Sequence, residues 1–411
     1  MLAHVDGIRV DDQGVLHVHI VEGIVEDIIP AGNKKTRDKV ITREFVQKKG
    51  KPFNKFLVRR SVERVYNLGF FDDVNVRMLP GDQDPNNVII EIDVLEHKTG
   101  TITLGAGYSK SDGLMGIIEF GEDNFRGTGD KFKVHWEIGG KKKYKNYQIS
   151  YLKPWIDSKG TSLGFSFFNR EDEYTDYNED GNEVAEYNKK SRGFNISFGR
   201  QTGEYTRDYL TLESRKDTYK WDSDDSSGYR YDTDAISNTT GSGNDWNNTN
   251  PSTGGSWNFA SNNYVKNNFG RINSITWQKV YDSRDNIYDP TRGRRISYTA
   301  QWAGHGLGGD FDFYKFTAEA RMYKKLGAKN VLAFRARGGF IQGDAPYSQL
   351  FTLGGADSLR GYEDDQFRGK YMYNATLEFR FPIVKKVSGV LFTDIGDAWD
   401  APNVTWYNSK K

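Results

Sequence analysis

The sequence of 411 residues contains no cysteine. That excludes a disulfide framework, thiolate metal ligation and a cysteine nucleophile. Neither sign of charge is in surplus: 57 Lys and Arg face 56 Asp and Glu, a net charge of +1. Electrostatics therefore gives no argument for nucleic acid or for an acidic partner. No run of about 18 apolar residues occurs, so no transmembrane helix can be read. A secretory signal is also missing. Met1 is followed at once by "LAHVDGIRVDDQG", with neither a basic start nor an apolar core. Such a beginning belongs either to a cytosolic protein or to a chain without its true start.

Aromatic residues and glycine are plentiful: 24 Tyr, 25 Phe and 9 Trp accompany 44 Gly and only 10 Pro. Mean hydropathy is nevertheless low, at −0.74. A transmembrane barrel combines these properties, because its apolar face occupies every second residue while lumen and loops lower the average. A soluble, aromatic-rich β protein has the same composition, so composition leaves both classes open.

Two regions follow one another. Up to about residue 97, strands and helices mix. "VLHVHIVEG" (Val15–Gly23) reads as a strand, and "IVEDIIPAGNKK" as another that ends in a turn at Gly32-Asn33. A helical stretch is expected over Thr36–Lys48, broken by Gly50-Lys51-Pro52. A second helix begins near Asn54, a good cap residue, places Val58, Val62, Val65 and Tyr66 on one face, and ends at Gly69. "FDDVNVRMLP" and "NNVIIEIDVLE" complete a β-α-α-β-β order. Residues 1–23 read as the tail of a preceding unit of the same kind.

From about Thr101 the helical signals stop and period-two segments take over. In Tyr371–Phe381 the odd positions are Tyr, Tyr, Ala, Leu, Phe and Phe, whereas Glu378 and Arg380 lie on the even face. Phe313–Met322 and Ile296–Trp302 alternate in the same way. A soluble sandwich would bury the apolar face, and a barrel would turn it to lipid. Loop parity separates the two. About thirteen strands can be counted, and the long connections, near 172–189, 222–266 and 343–370, each follow an odd-numbered strand. Even connections such as "NFRGTGD" and "PIVKK" are mostly short. Long loops at one end and short turns at the other are the layout of an outer-membrane barrel. The polar segment Asp222–Gly255 and the acidic run Glu171–Glu186 are expected to be external loops.

With strands on both sides, "GGADSLRGYEDDQFRG" (Gly354–Gly369) becomes a long, glycine-rich loop able to fold back into the lumen. Its "GGADSLRGY" resembles the arginine-glycine-aromatic loop of the BamA-type outer-membrane β-barrel assembly factors, the bacterial surface antigen family. "GNKKT", "YNLGFFDDV" and "VLEHKTG" resemble that family's last polypeptide-transport-associated (POTRA) domain. "NFRGTGDKF", "SYLKPWIDSKGTSLGF", "YDSRDNIYDPTRGRRIS" and "VLFTDIGDAW" resemble its barrel turns and a strand with a Phe-x-Asp-x-Gly pattern. The fold implied is a periplasmic α/β POTRA domain at 24–97, followed over 98–411 by an antiparallel transmembrane β-barrel. The family's barrel has sixteen strands, so the last three are expected to be missing and the chain to be a fragment.

The resemblance also assigns residues. Arg360, beside the conformationally free Gly361 and Tyr362, would pin the loop to the barrel wall at Glu378 and Asp394, with Phe392 and Gly396 on the same face as Asp394. The first strand, Thr101, Ile102, Thr103, Leu104, Gly105, Ala106 and Gly107, would be a weak templating seam. The activity implied is folding and insertion of β-barrel proteins, by capture at a POTRA sheet edge near "FDDVNV" and templating at the seam. Its partners would be unfolded outer-membrane protein clients, outer-membrane lipid and accessory assembly subunits, with no nucleic acid. A TamA-type or two-partner secretion transporter of the same superfamily is the alternative.

Other candidates are weaker. His17 and His19 share a strand face, but a metal site would want further ligands. "DSRDN" (Asp282–Asn286) could suggest calcium, and a turn capped by Asp285 and Asn286 explains it better. No phosphate loop, nucleophile elbow or HExxH stands out, so no cofactor, metal or catalytic set is expected.

Overall fold

The computed structural model describes residues 3–109, 113–139, 144–177, 183–220, 268–287, 289–327, 329–384 and 387–401. The chain divides into two compact units. One holds residues 1–103, 119–134 and 151–153, the other residues 104–118, 135–150 and 154–411.

The first unit opens with an antiparallel hairpin of β1 (Ala3–Val10) and β2 (Leu16–Glu22). Val5 faces Ile20, Ile8 faces Val18 and Val10 faces Leu16, and all six side chains are exposed. Then come β3 (Val25–Ala31), α1 (Asp38–Thr42), α2 (Lys55–Tyr66), β4 (Phe71–Pro80) and β5 (Val88–Glu96). Their sheet order is β3-β5-β4, with β3 parallel and β4 antiparallel to the central β5. Among the described residues β4 pairs on one side only. Asn54 caps α2 by accepting the N–H groups of Phe56 and Leu57, and Gly69 ends the helical segment at φ +73°. One apolar stripe of α2, through Val58 and Val65, packs with Val25, Ile41, Phe45, Phe70, Ile90 and Ile92.

The helix expected over Thr36–Lys48 is only five residues long, Asp38–Thr42. Val40, Ile41 and Thr42 are all β-branched and weaken helix propagation. After Arg43 side chains take over from helical hydrogen bonds: the Ser61 hydroxyl accepts the N–H groups of Val46 and Gln47 at 2.9 and 3.3 Å. Gln47, 1% exposed, donates Nε2 to the Pro52 carbonyl at 3.1 Å and accepts the Asn54 N–H at 3.1 Å. The irregular turn thereby buries Phe45 and Gln47 without stranded backbone groups.

The large sheet has 13 strands. They are β6 (Gly100–Ser109), β7 (Gly113–Phe125), β8 (Asp130–Gly139), β9 (Tyr144–Lys153), β10 (Ser162–Tyr177), β11 (Glu183–Gln201), β12 (Thr206–Lys220), β13 (Arg271–Asp282), β14 (Gly293–Ala303), β15 (Phe313–Leu326), β16 (Asn330–Gly343), β19 (Tyr371–Val384) and β20 (Val387–Trp399). Each strand pairs with its neighbour in sequence, except that β19 follows β16. The intervening β17 (Phe351–Leu353) and β18 (Phe367–Gly369) pair with each other. At the two ends of the sheet stand β6 and β20.

Alternation decides the two faces. On β19, Tyr371, Tyr373 and Leu377 are exposed, whereas Met372 and Asn374 are buried. Directly paired Trp277–Ala300, Ile275–Trp302 and Trp302–Tyr314 continue the apolar face across β13, β14 and β15. Arg295, Glu319, Arg335, Glu378 and Asp394 lie on the opposite face.

The connection expected at 172–189 is largely strand. Backbone pairing continues from Asp172 opposite Lys189 to Tyr177 opposite Glu183, so the described residues of the run Glu171–Glu186 are strand and not loop. Its sequence is polar at nearly every position, so no apolar alternation marked it as a strand. Residues 222–266, with the segment Asp222–Gly255, lie outside the described residues.

The turn expected at Asp285 and Asn286 is held by their own side chains. The Asp285 carboxylate accepts the Thr291 hydroxyl and the N–H groups of Thr291, Arg292 and Asn286, and these bonds hold it far below the usual carboxylate range. Asn286 adds the Asp289 N–H at 3.3 Å.

Candidate functional site

The loop between β16 and β19 is built from its floor upward. Phe351 faces Gly369 and Leu353 faces Phe367, which narrows the loop base to a three-residue hairpin. Phe351, Leu353 and Leu359 are buried against Phe313, Ile341 and Met372 of the sheet. Hydrophobic burial therefore seats the loop on the polar side of the sheet. Above this floor the chain turns sharply. Gly354 has φ +130°, and a Cβ there would lie 2.1 Å from the Glu363 carbonyl oxygen. The Ser358 hydroxyl accepts the Gly354 N–H at 2.8 Å and donates to the Gly354 carbonyl at 2.7 Å.

Those turns aim Arg360 at the strands. Its Nε donates to Asp394 Oδ2 at 2.7 Å, Nη2 to Asp394 Oδ1 at 2.7 Å and Nη1 to Glu378 Oε1 at 2.9 Å. The Arg360 backbone N–H also donates to Asp394 Oδ2, at 3.2 Å. Thr376 stands opposite Asp394 in the β19–β20 register, so Glu378 and Asp394 are diagonal neighbours on one face. A planar guanidinium can bridge such a pair, and lysine cannot make the same fork.

The structure thus brings Arg360, Glu378 and Asp394 together. Gly361, at φ +96°, supplies the adjoining turn. Tyr362 is half exposed and packs edge-on against Phe367, with ring centroids 4.9 Å apart, rather than entering the cluster. At Gly396 a Cβ would approach the Tyr373 carbonyl oxygen to 2.8 Å and Asn374 Nδ2 to 3.3 Å. Glycine leaves room there for the Asn374 amide, which donates to the Ser358 carbonyl at 3.0 Å. Thr101 to Gly107 occupy the edge strand β6, far along the sheet order from this cluster, with Ile102 and Leu104 strongly exposed.

Sequence reasoning missed several contacts. The Arg360 guanidinium carbon lies 3.4 Å from the centroid of the Phe392 ring, so the arginine is stacked as well as paired. Arg380 donates to the second oxygen of Glu378 at 2.9 and 2.7 Å. Arg335 donates to the Asp357 carbonyl at 2.6 Å and to Glu319. Phe392 and Arg380 share strand parity with the predicted acids, a signal already present in the alternation. The loop's hydrophobic floor carried no such period.

A second cluster joins the α/β region to the β7–β8 turn within the first unit. Glu122 accepts the Thr99 hydroxyl, the Asn124 N–H at 3.0 Å and Lys35 Nζ at 3.0 Å. Asn124, 1% exposed, donates to Thr36 Oγ1 at 2.8 Å and accepts the Gly129 N–H at 2.8 Å. The Arg37 N–H donates to the Gly127 carbonyl at 2.9 Å, and a Cβ at Gly127 would lie 1.8 Å from the Lys35 carbonyl oxygen. The strand histidines are paired with acids: His17 Nε2 lies 2.9 Å from Asp11 and His19 Nδ1 3.4 Å from Asp6.

The same "GNKKT" loop is tied from the other side by Glu96. Its carboxylate accepts the N–H groups of Lys34, Lys35 and Thr36 at 3.0, 2.8 and 2.6 Å. Burial pushes this carboxyl up, but hydrogen bonds from Thr36 and the three backbone donors outweigh it, so it lies below its ordinary value. A depressed carboxylate stabilises the fold above its unfolded pKa and loses that contribution as pH falls through the folded one. Glu96→Gln should therefore lower the unfolding midpoint at pH 7. Its gap to the unchanged protein should close below roughly pH 4 in a thermal-melt series. A gap independent of pH would contradict the assignment.

Comparison with known proteins adds what geometry alone does not. Residues 124–410 match the family model of the Omp85 superfamily domain, and residues 9–97 match the POTRA model, the surface antigen variable number repeat. The chain belongs to the Omp85 superfamily. This Omp85 chain is 28% identical, over 82% of its length, to the outer membrane protein assembly factor BamA of Nitratidesulfovibrio vulgaris. It is 26% identical, over 94% of its length, to that of Neisseria meningitidis. It spans 37% and 48% of those two relatives, less than half of each. Among solved structures, BamA from Haemophilus ducreyi lacking POTRA domains 1–3 superposes with a TM-score of 0.67 at 21% identity, covering 97% of this chain and 77% of that one. CdiB from Escherichia coli superposes with a TM-score of 0.65 at 13% identity, covering 98% and 71%. These likenesses fit the POTRA-like region and the 13-stranded antiparallel sheet.

Proposed function

We propose that this Omp85 chain is part of an outer-membrane assembly factor that folds and inserts β-barrel proteins. In this reading residues 24–97 are a periplasmic POTRA domain, 98–411 belong to the membrane barrel, and residues 1–23 belong to a further unit of the POTRA kind. The hairpin β1–β2 supports the last assignment. Its alternating Val5, Ile8, Val10, Leu16, Val18 and Ile20 repeat the pattern by which Val74, Ile90, Ile92 and Val94 of β4–β5 cover helices.

One observation carries the proposal: among the described residues the glycine-bearing β6 stands at an end of the sheet, and a loop is clamped to the polar face by Arg360. Unfolded barrel clients carry strand edges that lipid cannot satisfy. An exposed edge on β4 can accept an extended client segment as an added strand. The seam strand, Thr101 to Gly107, then offers a second edge as a template, weakened by Gly105 and Gly107. The loop anchor, Arg360 with Gly361, Tyr362, Glu378, Asp394 and Gly396, holds the lumen side in one arrangement while the seam works. Partners are unfolded outer-membrane protein clients, outer-membrane lipid and accessory assembly subunits. No enzymatic role is assigned.

The related reading, a TamA-type or two-partner secretion transporter, draws on the fold shared with CdiB. The relatives named as assembly factors at 26–28% identity favour the first. The test is reconstitution of the intact protein in lipid vesicles with a urea-unfolded barrel client. Client should become protease-resistant and heat-modifiable several times faster than with empty vesicles. Equal rates would overturn the proposal, and passage of client into the vesicle interior would favour the transporter.

A further inference from the structure

We infer that the polar face beside the anchored loop carries a binding cavity for a phosphate-type oxyanion. The cavity is lined by Arg321, Arg335, Arg360 and Arg380, together with the acids Asp357, Glu378 and Asp394. The inference goes beyond the assembly reading and does not depend on it.

Charge around the cavity does not balance. Glu319, 11% exposed, is shared by three arginines: Arg321 Nε at 2.6 Å, Arg335 Nη2 at 2.9 Å and Arg295 Nη1 at 3.3 Å. Arg337 is held in the field of the same carboxylate and of Arg335 and Arg321. Glu378 is divided between Arg360 and Arg380, and Asp394 is taken by Arg360. Arg295 and Arg337 do not line the cavity, whose own lining sets four guanidiniums against three carboxylates, Glu378, Asp394 and the exposed Asp357, a surplus of one positive charge. The nearby Arg284 and Asp282 neutralise each other at 2.7 Å.

Donors remain as well as charge. Among the described residues Arg321 bonds through Nε alone and Arg380 through Nε and Nη2. The terminal nitrogens of Arg321 and Nη1 of Arg380 are left for a ligand in the cavity both residues line. Ser358 and Thr376 also line it, with their hydroxyls already bonded to Gly354 and Asp394. Guanidinium forks match tetrahedral oxyanions in geometry, and an anion matches the surplus in sign. Rings of arginine select anions and phosphate in pores by the same means.

The experiment uses the intact protein in phosphate-free detergent. Inorganic phosphate is titrated by calorimetry against sodium chloride of equal ionic strength. Saturable binding of phosphate beyond chloride is expected. Arg321→Gln, which leaves Glu319 paired with Arg335 and Arg295, should weaken it about tenfold, the loss of one charge-assisted bond. A second arm titrates dihexanoyl phosphatidic acid against dihexanoyl phosphatidylcholine. Binding of inorganic phosphate identifies a free-ion site, and binding of phosphatidic acid alone identifies a lipid headgroup site. Responses to both that match their controls overturn the inference, as does undiminished binding by a folded Arg321→Gln. Should that variant not fold, Arg321→Lys takes its place, with weaker binding expected because a single ammonium cannot make the fork.

Discussion

Arg360→Ala is expected to lower the level of folded client barrels severalfold while the protein's own abundance stays nearly unchanged. The expectation follows from what the substitution strands. Asp394 has a side chain 6% exposed and receives three hydrogen bonds from Arg360. Two of the three come from the guanidinium. Removing it leaves a poorly hydrated carboxylate without its cation, a change that costs about 3 kcal/mol. That shifts the docked loop toward release by about a hundredfold. Loop residues Phe351, Leu353 and Leu359 keep their apolar contacts, so the sheet beneath should still form. The neighbouring acids should differ in effect. Glu378 keeps Arg380 when Arg360 is lost, whereas Asp394 loses its guanidinium partner. Asp394→Ala should therefore impair clients more than Glu378→Ala. Arg360→Ala combined with Asp394→Ala should be milder than the sum of the two. Client levels in a depletion strain, with heat-modifiability of the protein itself as control, read both effects. Normal client levels in Arg360→Ala would remove the loop anchor from the mechanism.

The second large effect concerns the opposite face. Leu377 lies near the middle of β19 and is 42% exposed, between the equally exposed Tyr373 and the aromatic Phe379. If this face meets hydrocarbon, Leu377→Arg should cost about 2–4 kcal/mol, the range for arginine near a bilayer midplane. The same arginine at Thr299, on the polar face of β14, should cost well under about 1 kcal/mol. Urea unfolding in lipid vesicles measures both. Equal and small costs would show that the two faces meet the same solvent, and the barrel reading would fail.

Why so much of this was legible in the sequence can be stated residue by residue. Strands such as Tyr371–Val384 and Phe313–Leu326 announce themselves because one face is apolar and the other charged, and a slip of one residue would exchange the two. The same parity placed Glu378 and Asp394 on one wall, and the loop sequence supplied the arginine between them. Where both faces are largely polar, as in Asp172–Tyr177 and Glu183–Lys189, nothing alternates and strand reads as loop. The shortened α1 escaped for a different reason. Its continuation was replaced by bonds to a side chain of the next helix, Ser61, which accepts the N–H groups of Val46 and Gln47 and leaves no trace in the segment itself. The clasp of Asn124 and Glu122 on Thr36 and Lys35 joins residues about 90 apart, the separation at which single-sequence reasoning has least purchase. Its only visible sign was a pair of glycine-bearing motifs, "GNKKT" and "NFRGTGDKF", which read as two separate turns.

The account stands on alternate side chains of the large sheet touching lipid. The absence of cysteine allows this to be measured position by position with single nitroxide labels. Labels would be placed at each residue from Tyr371 to Phe381, with the intact protein in bilayer vesicles, and relaxed by oxygen or by a water-soluble nickel chelate. Oxygen should dominate at Tyr373, Ala375, Leu377 and Phe379, and fall at the positions between them with a period of two. Strong relaxation by the chelate at those four residues, or no alternation along the strand, would contradict the account.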